Sequence, residues 1–223
     1  MKLSFSKQKE RGLTRTELLV VIVVITFFAI VFAAQPDRNA KKRAQRIQCI
    51  NNLKIIGLSF RISPGGCDDR YLTQTSTNRG GSLEFASGPN AFRHFQVMSN
   101  ELGTPRLLFC PSDAHRQQLW PTNWDQLSNS NLSYFVGIDA GETVPNGFLS
   151  GDRNVTNGAP LKNSILELTL DRPVGWTEEL HHDAGNLLLA DGSVQQRTTP
   201  GLDQALEQSG VDTNRLQMPV LGP

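Results

Sequence analysis

The sequence has no dominant charge of either sign. Its 22 Lys and Arg face 21 Asp and Glu, a formal net charge of +1 at pH 7, so no whole-chain field draws it to nucleic acid or to a strongly acidic partner. Aromatic residues are few, at 7 %, while Gly, Asn, Ser and Pro are plentiful; that composition suits a loop-rich domain with a modest core, not a large α/β enzyme. Cysteines number three, Cys49, Cys67 and Cys110. An odd count excludes complete internal pairing, and the lack of any C-x-x-C spacing removes the usual zinc and redox signatures. There is no G-x-S-x-G elbow and no Gly-rich phosphate loop, so nothing prepares a nucleophile or cradles a nucleotide. The chain is not expected to be an enzyme.

What the sequence does have is one long apolar run, Leu18 to Ala34, broken only by Thr26 and preceded directly by Glu17. As a helix rising ~1.5 Å per residue, such a run crosses or nearly crosses a ~30 Å hydrocarbon layer. A carboxylate at its edge is costly in lipid unless it lies at the interface or finds a partner. The leader carries Lys2, Lys7, Lys9 and Arg11, joined by Arg15, but the far flank is equally basic through Arg38, Lys41, Lys42, Arg43 and Arg46. Charge bias therefore leaves the orientation open. Val31-Phe32-Ala33 would also serve as a signal-peptidase site, although the run exceeds the usual signal core.

Gly12 followed by Leu13-Thr14-Arg15-Thr16-Glu17 and then Leu-Leu-Val-Val-Ile resembles the prepilin processing and methylation motif of type IV pilins and type II secretion pseudopilins. The resemblance implies that residues 1–12 are a leader removed by prepilin peptidase between Gly12 and Leu13, that Glu17 acts in assembly, and that residues 13–35 form a transmembrane and assembly helix. It implies an amphipathic continuation over 36–62 and an extracytoplasmic β-rich domain over 63–223, giving an α+β fold of lollipop form. A subunit of this kind sits in a bacterial inner membrane with its N-terminus cytoplasmic. Its partners are the peptidase, other copies and related pseudopilins, the secretion platform and the bilayer. Phe is usual in that family where this chain has Leu13, and apolar residues where it has Arg15 and Thr16.

Beyond Pro36, residues Ala40, Ala44, Ile47, Ile50, Leu53, Gly57 and Phe60 recur at spacings of three and four, predicting one helix face. A continuous helix over 13–62 would be about 75 Å long. The basic cluster at its start suits either acidic lipid headgroups or plain solvation. Thr73 to Asn90 reads as a surface loop, Ala91 to Glu101 as a short helix, Leu107 to Cys110, Leu132 to Gly137 and Ser164 to Leu170 as strands, Gly201 to Arg215 as a helix, and Leu216 onward as a tail. Asp191-Gly192 between two strand-like runs predicts a hairpin over 186–197 with a type I′ turn.

The segments C-I-N-N-L at Cys49, C-P-S-D at Cys110, S-Y-F-V-G at Ser133 and G-D-R-N at Gly151, with His181 nine intervening residues before Asp191-Gly192, are similar to a pseudopilin-like subfamily bearing a C-terminal H-x9-D-G segment. For the cysteines, Cys67–Cys110 is the favoured disulfide because Cys49 belongs on a helix; buried free thiols compete with it. His181, His182, Asp183 and Asp191 invite a zinc site, against which stands simple packing of His181 across the hairpin. Asp183, Asn186 and Asp191 offer hard oxygen ligands and so a candidate calcium site. Asp152-Arg153 reads as a local ion pair. The rival to a filament subunit is a membrane-anchored binding protein for metal or carbohydrate that does not polymerise.

Overall fold

A computed structural model describes residues 12, 14–33, 38–66, 70–116 and 121–220. The chain divides into two compact units, Met1–Lys41 and Lys42–Pro223. The expected processing residue Leu13, the leader to Arg11, Pro36 and Cys67 lie outside the described residues.

The first unit contains helix α1, Arg15–Ala33. Its run of Leu, Val, Ile and Phe has no polar face to turn to water, and every large apolar side chain from Leu18 to Phe32 is exposed. The single hydroxyl, Thr26, bonds back to the Ile22 and Val23 carbonyls at 2.9 Å, so it presents no unsatisfied group outward. By length and composition, α1 can cross a membrane.

The second unit is α+β. Helix α2 spans Arg38–Ile62, followed by short helices α3 (Ala91–Val97) and α4 (Ser99–Leu102). Strands β1 (Tyr134–Gly137), β2 (Phe148–Asp152), β3 (Val155–Thr156), β4 (Ile165–Thr169), β5 (Gly175–Trp176), β6 (Ala184–Leu189) and β7 (Val194–Thr198) come next. Helix α5 (Thr199–Gln208) and strand β8 (Thr213–Gln217) complete the unit. Six strands form one antiparallel sheet in the order β4-β8-β1-β2-β6-β7, and β3 pairs with β5.

Period-two alternation sends successive side chains of the central strands into different cores. Tyr134, Val136, Leu149, Leu188 and Ala190 join Cys49, Leu53, Ile56 and Phe60 of α2, together with α3 and α4. Phe135, Phe148, Leu187 and Leu189 instead join Leu202, Ala205 and Leu206 of α5 and the apolar residues of β4 and β8. This double burial explains why β1, β2 and β6 are buried at every position, whereas β4 alternates. Gly57 lets α2 approach β6: a Cβ there would stand 2.8 Å from a Leu188 methyl.

Several local expectations are corrected. The buried face of α2 is Cys49-Leu53-Ile56-Phe60, and Ile47 is 58 % exposed; Ala40 and Ala44 are exposed as well. The apolar residues of the first turns follow the period but meet no sheet there. Residues Pro105–Leu108 form a 3-10 turn rather than a strand, because Pro105 pre-sets its first position and the Thr104 hydroxyl accepts from Arg106 N. The 73–90 segment is no simple surface loop: Thr73, Thr75 and Ser82 are buried, and Ser82 N and Leu83 N donate to the Leu72 and Thr75 carbonyls at 2.7 and 2.9 Å.

The helix expected over Gly201 to Arg215 ends at Gln208, and Thr213–Gln217, read as the end of that helix and the start of a tail, is β8, which lies inside the sheet between β4 and β1. The β6–β7 turn is not type I′, since only Gly192 of the Asp-Gly pair has positive φ, 85°. Gly192 N bonds Leu189 O and Leu189 N bonds Ser193 O, each at 2.9 Å; this is the longer turn in which only the last loop residue is left-handed. Asp191 keeps an ordinary φ because its carboxylate accepts from Ser193 N at 2.8 Å and its own N–H is anchored on Pro145 O.

Candidate functional site

Two places carry chemistry, one in each unit. In the first, Thr14 and Glu17 cap α1 reciprocally. The Thr14 N–H and hydroxyl both donate to Glu17 Oε2 at 2.8 Å, and Glu17 N donates to Thr14 Oγ1 at 3.3 Å. This is the S/T-x-x-E capping box, which satisfies helix donors that have no partner within the helix. The T-x-x-E spacing was legible in the sequence and supplies a structural role for Glu17. Among the described residues nothing bonds Glu17 Oε1. Gly12 is exposed.

In the second unit, residues from widely separated segments meet between α2 and β2. Cys49 on α2 is joined to Cys110 across 61 residues, with Cα atoms 5.1 Å apart. This replaces the expected Cys67–Cys110 pair. A helical position does not prevent a disulfide when its side chain faces the buried loop carrying the partner. On the same face of α2, Gln45 Nε2 donates to Pro111 O at 3.2 Å, Asn52 Nδ2 to Phe109 O at 2.9 Å, and Arg46 Nη2 to His181 O at 2.9 Å.

His181 is buried and points into this space, whereas its neighbour His182 is exposed. The chain reaches that geometry through left-handed conformations at Leu180, His182 and Asp183, costly positions for residues with a Cβ. His181 Nε2 lies 3.5 Å from Cys110 Sγ, 3.2 Å from Asn186 Nδ2 and 3.3 Å from Asp152 Oδ2. Asp152 accepts from the Asn186 backbone N–H at 2.6 Å and from its side chain at 2.9 Å. Burial pushes the Asp152 carboxyl up to about 7 despite those two bonds. Burial also pulls the His181 imidazole down to about 4, assisted by the positive Arg46 and by His182. Asp152 Oδ1 and Asn186 Oδ1 are buried without a hydrogen-bond partner among the described residues.

Asp152 and Arg153 do not pair with each other. Arg153 grips Asp113 bidentately, Nε to Oδ2 and Nη2 to Oδ1 at 2.8 Å, and reaches Glu179 at 2.6 Å. Ser133 Oγ also donates to Asp113 at 2.9 Å, so this carboxylate is bonded on several sides and does not cap the turn after it. Asp152 ends β2 and Arg153 opens the turn that follows, and the two side chains have separate partners.

The expected oxygen-ligand set is not assembled. Asp183 precedes β6 and Asp191 follows it, so the six-residue strand holds them apart by on the order of 17 Å of extended chain. Asn186, between them, is buried against Asp152. His181 likewise does not share a site with Asp191, whose backbone carbonyl instead receives Arg61 from the end of α2. The cluster that does form, Cys49, Cys110 and His181, places its ligand atoms within 4.8 Å of one another. Cys49 and Asp152 were the residues whose site roles sequence reading missed.

Compared with protein-family models, with curated proteins and with solved structures, the chain matches none.

Proposed function

We propose that the chain is a structural, non-catalytic subunit of the pseudopilin type, anchored in a membrane by α1 and assembled into a filament of a type II secretion or type IV pilus-like system through that helix. The observation that carries this reading is the N-terminal constellation: a basic leader, exposed Gly12, then a capped helix whose run from Leu18 to Phe32 turns apolar side chains to every side, with Glu17 directly at its edge. A helix apolar all round with nothing of its own unit to bury against requires lipid or other helices. The capping box gives Glu17 a local role, and a carboxylate at the edge of an apolar run gains a further one if a neighbouring subunit brings a positive charge.

In this proposal prepilin peptidase cuts between Gly12 and Leu13. The new amine of an incoming subunit is then neutralised by Glu17 of its neighbour, and close packing of apolar side chains supplies the remaining contact. The cap through Oε2 is compatible with that step, because Oε1 can accept while the helix end stays satisfied. The domain faces outward from the inner membrane, the N-terminus faces the cytoplasm, and the secretion platform and related subunits are the partners.

Mass spectrometry of the mature N-terminus tests the processing: a methylated Leu13 is expected, and an intact Met1 or a start at Ala34 overturns it. Glu17→Ala tests assembly. Processing should proceed while incorporation into cross-linkable filaments falls by an order of magnitude or more; unimpaired incorporation would leave an anchored binding protein that does not polymerise as the better reading.

A further inference from the structure

We propose that the Cys49–Cys110 pair, together with His181, is a redox-gated site for a thiophilic divalent cation of the zinc class: closed as the disulfide, open to metal as the dithiolate. It rests on the second unit alone and is independent of the filament reading.

The argument begins with His181 Nε2. One ring nitrogen carries either a proton or a lone pair, not both. Asn186 Nδ2, at 3.2 Å, is a donor and demands the lone pair. Asp152 Oδ2, at 3.3 Å, demands a proton while it is ionised, and the disulfide sulfur Cys110 Sγ, at 3.5 Å, is only a weak acceptor. With Asp152 ionised, no protonation state of His181 satisfies both Asn186 and Asp152. The ring nitrogen and the two sulfurs lie within 4.8 Å of one another in a dry site, and a bound cation there neutralises the carboxylate beside them. The second observation is Asp152, fully buried and with Oδ1 lacking any partner among the described residues. A buried acceptor in that state costs free energy that a cation would recover.

The chemistry balances with an external dithiol as reductant. Its two sulfurs give up two electrons and become a disulfide, the Cys49–Cys110 bond breaks, and each freed sulfur takes a proton. Binding M²⁺ then expels both protons, and the sulfurs bind as thiolates. With Zn–S bonds of ~2.3 Å in tetrahedral geometry the sulfurs separate to roughly 3.8 Å, which rotation of the two Cys side chains about their 5.1 Å Cα separation supplies. His181 Nε2 is the third ligand, and the Asp152 carboxylate, 3.3 Å from that nitrogen, places negative charge beside the site. Because the donors are two sulfurs and a nitrogen, the site favours zinc over calcium or magnesium. An external disulfide reverses the step: its S–S bond takes two electrons and two protons to become a dithiol, the two thiolates re-form the Cys49–Cys110 bond, and M²⁺ leaves.

The test uses the full chain in detergent carrying Cys67→Ser, so that only the two candidate thiols remain, reduced and handled without oxygen. Co(II) alone serves as the probe. One equivalent should bind per reduced chain with thiolate-to-cobalt charge-transfer absorption and paramagnetically shifted imidazole resonances, and none should bind to the oxidised chain. His181→Ala should weaken binding roughly tenfold or more, the scale on which even indirect metal partners act. His181→Gln is read alongside it, with near-ultraviolet circular dichroism reporting whether each variant is folded. Zn(II) should displace the cobalt and erase the bands. Several outcomes overturn the proposal: no charge-transfer band in the reduced chain, equal binding by the oxidised chain, or no shifted imidazole signal in the loaded Cys67→Ser chain. A reduced chain that unfolds and is not refolded by one equivalent of cobalt overturns it equally.

Discussion

His94 and His181 lie buried in the same unit, and their surroundings differ in the one respect that separates structure from chemistry. Around His94 every role is assigned. Gln217 Nε2 donates to Phe85 O and Gly88 O at 2.8 and 3.0 Å, leaving its Oε1 to accept from His94 Nε2 at 2.6 Å. Nδ1 therefore holds the lone pair and accepts the Ser82 hydroxyl at 2.6 Å. One tautomer satisfies every polar atom, and the ring ties α3 to β8. Around His181 no tautomer satisfies both Asn186 and an ionised Asp152, and among the described residues buried oxygens are left over. A closed network rigidifies a fold, while an unclosed one next to two sulfurs is a place where something else can bind.

The largest effect should come from the open cluster. The Cys49–Cys110 bond spans 61 residues, and in the chain-entropy account closing a loop of that size stabilises the fold by about 4 kcal/mol. Reducing it with a chelator present should lower the unfolding free energy of the second unit, taken from its urea transition, by that amount and move the midpoint down accordingly; adding one equivalent of zinc instead of the chelator should recover part of the loss. If reduction leaves the midpoint unmoved, Cys49 and Cys110 are not joined, and the contrast between the two histidines loses its basis.

Why these clusters differ in legibility follows from how each is encoded. The alternating burial of β4 was readable because Leu166 and Leu168 are apolar and Glu167 is not. β8 was missed because its inward positions include Asn214 and Gln217, buried polar residues whose hydrogen bonds are made inside the fold. A period-two rule does not find such a strand, and its residues read as the end of a helix to Arg215 and the start of a tail at Leu216. The His94 site left no sequence signal, since its partners stand 12 and 123 residues away. For His181 the segment containing it was singled out, and so were C-P-S-D and G-D-R-N. That these meet at Asp152 and Cys110 rather than at Asp191 depends on β2 pairing with β6, a long-range register that no local spacing carries. Glu17 lies at the other extreme: both of its features, the capping box with Thr14 and the apolar run after it, are local.

The second effect is a pH dependence assigned to His94. Burial pulls its pKa down to about 4, against 6.5 for the ordinary side chain. Between these values the unfolded chain binds more protons than the folded one. The stabilising contribution is therefore complete above pH 6.5, falls as pH drops toward 4, and levels off below it. Its full size is about 3 kcal/mol at ~1.36 kcal/mol per unit. His181 shares this sign, and Asp152, with its pKa raised, has the opposite one, so the measurement must be a difference. The stability gap between the parent and His94→Gln, taken from denaturant unfolding, should shrink or invert by about 3 kcal/mol between pH 7.5 and pH 4. A constant gap would mean that His94 is charged in the folded chain and that its network is not closed.

The smallest effect sharpens the same contrast from inside the closed network. Ser82→Ala removes what is, among the described residues, the one donor to His94 Nδ1 and introduces no charge or bulk. The lone pair is then left facing a dry wall, because His94 and Ser82 are both fully buried. Leaving one buried acceptor unpaired costs about 2 kcal/mol, and the variant should lose that much at pH 7.5 with an unchanged denaturant slope. The alternative escape is a tautomer switch, in which Nδ1 takes the proton and Nε2 the lone pair. Gln217 blocks it, since its amide would have to turn over and abandon Phe85 O and Gly88 O. A loss near zero would therefore show that the amide can turn, and that the His94 pocket tolerates the mismatch the His181 pocket already displays.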